Sequence, residues 1–216
     1  MRAATLALCA ALAGCGHAST GPAPLGAPWP EHAASYDDAY HRWTRSDEDR
    51  TELIQTLSVS ATLFAPEFRA AYLRERARRL GIPADEEARL AADERRAADE
   101  TWEVELLVAT AKPEWNDLRK WGKEKPDGRV GSMWRLSLVG DGGRSVGPVS
   151  VKEDRRHRED VAYYFPELRQ FYQAYSVRFP KTASDGQPLL ATGGSGKLAL
   201  IVGGSQGHVE LVWTGQ

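Results

Sequence analysis

Apolar and polar side chains alternate between residues 53 and 63. Leu53, Leu57, Val59, Ala61 and Leu63 fall on one side, and Thr56, Ser58, Ser60 and Thr62 on the other. A period of two over this length predicts a half-buried strand. The alternation returns at Trp102, Val104, Leu106 and Val108, at Trp134, Leu136 and Leu138, and at Tyr175, Val177 and Phe179. Leu198 to Val202 and His208 to Trp213 flank a glycine-rich run, Gly203 to Gly207, which predicts a hairpin. Asp141-Gly142-Gly143 predicts a turn leading into a further strand over Ser145–Val151.

Helical spacing appears in three places. Tyr36, Tyr40 and Trp43 lie at i, i+4 and i+7 behind Ser35, a good N-cap residue. Pro66 opens a second helix, and Gly81 closes it. A third begins near Pro83–Asp85, where Asp85, Glu86 and Glu87 suit the positive end of the helix dipole, and runs to about Glu100. The last two are crowded with arginines and acids, so most of their surface is expected in water. About seven short strands with glycine turns predict an α+β domain. It is mainly an antiparallel β-sandwich, or barrel-like, with an α-helical hairpin (about 66–100) inserted after the first strand.

The N-terminus departs from this pattern. Arg2 precedes an apolar run, Ala3 to Ala11, that is too short to span a bilayer, and Leu12-Ala13-Gly14-Cys15 follows. This segment resembles the signal peptide and lipobox of bacterial lipoproteins. The resemblance covers these fifteen residues only. It implies cleavage after Gly14, acylation of Cys15 and a mature chain held on a membrane by its lipid. Gly16, where an Asp would favour retention at the inner membrane, implies export to the outer membrane. Residues 15–34, rich in Pro, Gly and Ala, are expected to be a tether, and residues 35–216 a single domain.

Composition narrows the chemistry. The only cysteines are Cys9, in the signal segment, and Cys15, so the folded domain has no thiol for a disulfide, a metal or nucleophilic catalysis. A net charge of −2 offers no overall basic excess for nucleic acid. The histidines His17, His32, His41, His157 and His208 are not paired at ligand spacing, so no metal and no cofactor is implied.

Two motifs mislead. Gly203-Gly204-Ser205-Gln206-Gly207 matches the nucleophile elbow of α/β-hydrolases, but an alternating strand follows where a helix is needed. Gly193 to Lys197 resembles a phosphate-binding loop, yet lacks the first glycine and the Ser or Thr after lysine. The most suggestive region is the connection from Lys112 to Ser132, which carries Trp115 and Trp121 among charged residues. Long connections often bind partners, and exposed indoles stack on sugars or anchor protein contacts. The expectation is a non-enzymatic envelope module that binds a protein or glycan partner through Trp115 and Trp121, with no catalytic residue assigned. Two rivals stand beside it: a lipid-anchored hydrolase of peptidoglycan or polysaccharide working through paired carboxyls, and a carrier of lipid or another small apolar ligand.

Overall fold

The alternating runs become strands of two antiparallel sheets in a computed structural model that describes residues 23–123, 131–191 and 196–215. The signal-like segment, with Cys15 and Gly16, lies outside these residues. In chain order the elements are α1 (Tyr36–Trp43), β1 (Thr44–Thr51), β2 (Ile54–Leu63), α2 (Pro66–Leu80), α3 (Ala84–Glu100), β3 (Thr101–Thr110), β4 (Arg135–Val139), β5 (Ser145–Val146), β6 (Ser150–Glu153), α4 (Arg158–Tyr164), β7 (Gln173–Pro180), β8 (Lys197–Gly204) and β9 (Gly207–Thr214). One sheet has the order β1-β2-β3-β7-β6 and the other β5-β4-β8-β9.

The facing sides of the two sheets carry the predicted apolar sets. Register places Val59 opposite Val108, Ala61 opposite Leu106 and Leu63 opposite Val104, so each row meets its neighbour on the same face. Trp134 and Trp213 are fully buried among them, with Phe179 and Tyr175. The indole N–H of Trp213 donates to the Trp43 carbonyl at 2.8 Å, which satisfies its one polar atom. Large side chains therefore fill the space between the sheets, where a carrier would need an emptied interior.

The sandwich is drawn together at both edges. On one side Arg45 Nε of β1 donates to the Val212 carbonyl of β9 at 2.8 Å, and the His208 N–H donates to Asp49 Oδ2 at 2.7 Å. Side chains thus replace a ladder between the sheets. On the other side the expected strand over 145–151 is split. β5 pairs with β4 in one sheet, and β6 pairs with β7 in the other. The chain crosses between them through Gly147-Pro148-Val149, where proline interrupts the ladder.

The polar side of β2 is buried rather than solvated. α2 and its neighbours lie over it, and the hydroxyls pair with one another: Thr44 with Thr62 at 2.8 Å, Ser46 with Ser60 at 3.0 Å, and Ser58 with the Tyr172 hydroxyl at 2.6 Å. Leu53, expected inward, sits in the turn before β2 and is 94% exposed. Tyr36, Phe64, Phe68, Tyr72, Tyr164 and Phe165 pack between α1, α2 and α4. Phe64–Phe68 and Tyr72–Tyr164 meet edge-on at 4.9 Å between centroids. The helical hairpin follows β2 as its alternation predicted, but the wholly polar strand β1 precedes it. Of α3 only Ala98 is buried.

Of the expected tether, residues 23–34 are described, and their first part packs on the sandwich. The Ala23 N–H donates to the Thr214 carbonyl at the end of β9 (2.8 Å), and Ala23 and Leu25 are buried in the core. Proline and glycine do not prevent packing when apolar residues between them find a partner. The described chain thus joins the sandwich at the end where β9 finishes, called here the near end. The far end holds the β1–β2 turn, the end of β3, the start of β7 and the β8–β9 hairpin.

Candidate functional site

The connection that follows β3 is held down by its polar residues. Asn116 and Asp117 are buried. Asn116 Nδ2 donates to the Val108 carbonyl at 2.7 Å, and its Oδ1 accepts from the Tyr175 hydroxyl at 2.9 Å. Asp117 accepts from Ser132 Oγ at 2.8 Å and from the Met133 N–H at 3.1 Å. Two short 3-10 turns, Pro113–Trp115 and Leu118–Lys120, flank these anchors.

The two predicted tryptophans are separated by this stitching. Trp115 is half-buried at the far end, with Lys112 Nζ 5.1 Å from its ring centroid; its backbone carbonyl accepts the indole N–H of Trp134. Trp121 is also half-buried, and it packs against the core beside β6. They belong to two different surfaces, not one.

Beside Trp115 the far end is concave. A cleft of about 600 Å³ is lined by Gln55, Pro113, Asn116, Arg158, Phe171 and Gln173, among others. The Arg158 guanidinium donates to the Tyr172 carbonyl at 3.0 Å and to the Arg169 carbonyl, and so ties down the turn before β7. Phe171 sits on that turn, 75% exposed, with a φ of 76°. Left-handed backbone is unfavourable for a bulky aromatic residue, and such strain gathers at ligand sites. Leu53 on the adjacent β1–β2 turn and Ile54 at the start of β2 are 94% and 62% exposed. Apolar tips around amide-bearing walls suit a ligand with both apolar and hydrogen-bonding surface. Sequence reading missed Phe171. Its isolated position between Gln170 and Tyr172 gave no periodic signal, and only the fold brings it to Gln55 and Pro113.

A carboxyl pair also exists, as the hydrolase reading requires, but in a different geometry. Glu105 of β3 is 5% exposed on the helix-covered face of its sheet. Burial pushes its carboxyl up to about 8, with the Arg156 guanidinium opposing and the neighbouring Asp154 adding to the rise. Burial also lifts Asp154, but hydrogen bonds from Arg156 outweigh it and hold that carboxyl below its usual range. Arg156 reaches Glu105 at 3.6 Å and also donates to the Tyr72 hydroxyl at 2.5 Å. At neutral pH Glu105 therefore keeps its proton and donates it in a hydrogen bond to the ionised Asp154. Glycosidase carboxyls flank a sugar across about 5 to 9.5 Å, whereas these two abut. Through Arg156 the pair is joined to Tyr72 of α2, between the sheet and the helix.

The elbow-like motif is the two-residue turn of an antiparallel hairpin, with Gly204 paired to Gly207 on either side of Ser205-Gln206. Of the phosphate-loop look-alike, Gly196 and Lys197 are described, and Lys197 already begins β8. Among the described residues no three His, Cys, Asp or Glu side chains gather as metal ligands, and no helix is long and apolar enough to cross a membrane. Comparison with known protein families, curated proteins and solved structures finds no match to this chain.

Proposed function

We propose that the protein is a lipid-anchored module of the bacterial cell envelope that binds a protein or glycan partner through the far end of its sandwich. The carrying observation is the cleft walled by Phe171, Pro113 and Gln55, with its strained, exposed aromatic residue. The lipobox-like segment supports the anchor, and Gly16 supports delivery to the outer membrane. The described chain joins the domain at the near end, so an anchored molecule presents the cleft away from its lipid.

In-cell photo-crosslinking from positions 115, 121 and 171 tests the reading, combined with mass spectrometry of the recovered protein. One dominant protein or glycan adduct from positions 115 and 171 is expected, with diacylglycerol on an N-terminal Cys15. Absence of any adduct from the far-end positions overturns the binding role. An unmodified Cys15 overturns the anchor alone.

A further inference from the structure

A second cleft lies on the side of the sandwich, where the Leu118–Lys120 turn faces the edge strand β6. Its volume is about 710 Å³, and its charged lining is Arg119, Lys120, Lys123, Lys152, Arg155 and Glu153. Five cations thus share one concavity with a single carboxylate, in a chain whose net charge is −2. Of the acids next to the lining, Asp117 lies 3.6 Å from Lys120 and Asp154 is paired with Arg156, so the balance stays positive.

Like charges gathered this closely repel one another, and concave walls focus their field on what enters. We propose that this cleft binds a ligand bearing two or more closely spaced phosphate groups. Guanidinium groups grip phosphate oxygens in pairs, while lysines add point charges around them. Arg119 belongs to the Leu118–Lys120 turn and Arg155 follows β6, and the three lysines come from the same two segments. A single carboxylate would neutralise only part of this field, whereas a multiply phosphorylated group matches it. Such a ligand is either the headgroup of a phospholipid or a soluble polyphosphate. The site is separate from the far-end cleft and does not depend on acylation of Cys15.

Calorimetric titration of the purified full-length protein, in nonionic micelles, with inorganic triphosphate tests this. Saturable binding is expected, weakened at least tenfold in the double variant Lys152→Ala/Arg155→Ala and retained in Lys152→Arg. The control Arg89→Ala/Arg96→Ala removes the same charge from α3 and should bind as the wild type does. Doping the micelles with cardiolipin separates the sources: competition with triphosphate assigns the lipid headgroup, and no competition assigns the soluble anion. Absence of triphosphate binding, or an equal loss in both double variants, overturns the proposal.

Discussion

Arg69 of α2 places a guanidinium nitrogen 2.9 Å from Glu103 of β3, joining the helical hairpin to the sheet beneath it. The arginine is 2% exposed, donates through Nε to the Phe64 carbonyl at 2.8 Å and also pairs with Glu94 of α3. One side chain thus links both helices to a central strand. Without Arg69, Glu103 keeps Arg178 at 3.4 Å and the Ser176 hydroxyl at 3.1 Å, and Glu94 is 40% exposed, so the loss is that of buried hydrogen bonds rather than of a stranded charge, about 1–3 kcal/mol. Arg69→Met should therefore destabilise the domain by that amount in urea unfolding.

Glu105 makes stability depend on pH. Its folded pKa of about 8 lies above the ordinary 4.5, so between these values the folded chain holds a proton that the unfolded chain has released. Its contribution is favourable at the acid end of that window and fades as pH rises through it, then stays level above 8. Asp154, shifted downward, acts with the opposite sign and only at more acidic pH. Glu105→Gln should abolish the loss between pH 5 and 8.5, measured by urea unfolding at three pH values, and should be more stable than wild type at the upper end.

Phe171 should trade stability for binding. Glycine accepts a φ of 76° without strain, so Phe171→Gly relieves roughly 1 kcal/mol. A melting temperature equal to or above that of wild type is expected, together with loss of the far-end crosslink. A lower melting temperature would show that the ring supports the fold.

The two loop tryptophans should separate. The Trp115 side chain leaves the hydrogen bond to Trp134 in place when truncated, because that bond uses the backbone carbonyl. Trp115→Ala should change stability by less than about 1 kcal/mol. Trp121 packs on the core, and Trp121→Ala should cost more, about 1–3 kcal/mol. A large loss for Trp115→Ala would count against a role for that residue in binding.

Gly140 closes the turn after β4. A methyl group there would fall on the Leu189 carbonyl, a backbone atom with little freedom to retreat. Its own N–H donates to the Arg144 carbonyl at 2.8 Å, so the turn cannot swing away without losing that bond. Gly140→Ala should lower the melting temperature by about 5 °C or more in a thermal scan.

Much of this architecture was legible from side-chain periodicity. The α1 cap appears as expected, with Ser35 Oγ accepting from the Asp38 N–H at 3.1 Å, and the hairpin of β8 and β9 turns at Ser205-Gln206. β1 was not legible: TRSDEDRT has no apolar residue because it is an edge strand whose side chains bond outward and to β9. The polar row on β2 suggested water, whereas its hydroxyls are paired beneath α2, and a pattern of polarity alone does not separate the two. The clefts were less legible still. Gln55, Pro113, Arg158 and Phe171 are scattered in sequence and meet only through strand register. The cation-lined cleft was hidden by a near-neutral total charge, which says nothing of where charges gather.

The bond from Ala23 to Thr214 also sets a leash. With Cys15 acylated as proposed, eight peptide steps separate the lipid from the sandwich, at most about 28 Å. A free chain to Ser35 would have allowed about 70 Å. The sandwich itself, with strands of up to ten residues, adds roughly 33 Å. The far-end cleft therefore sweeps a shell no deeper than about 60 Å above its membrane. On the proposed reading, a captured partner must itself reside in, or be drawn into, that thin layer.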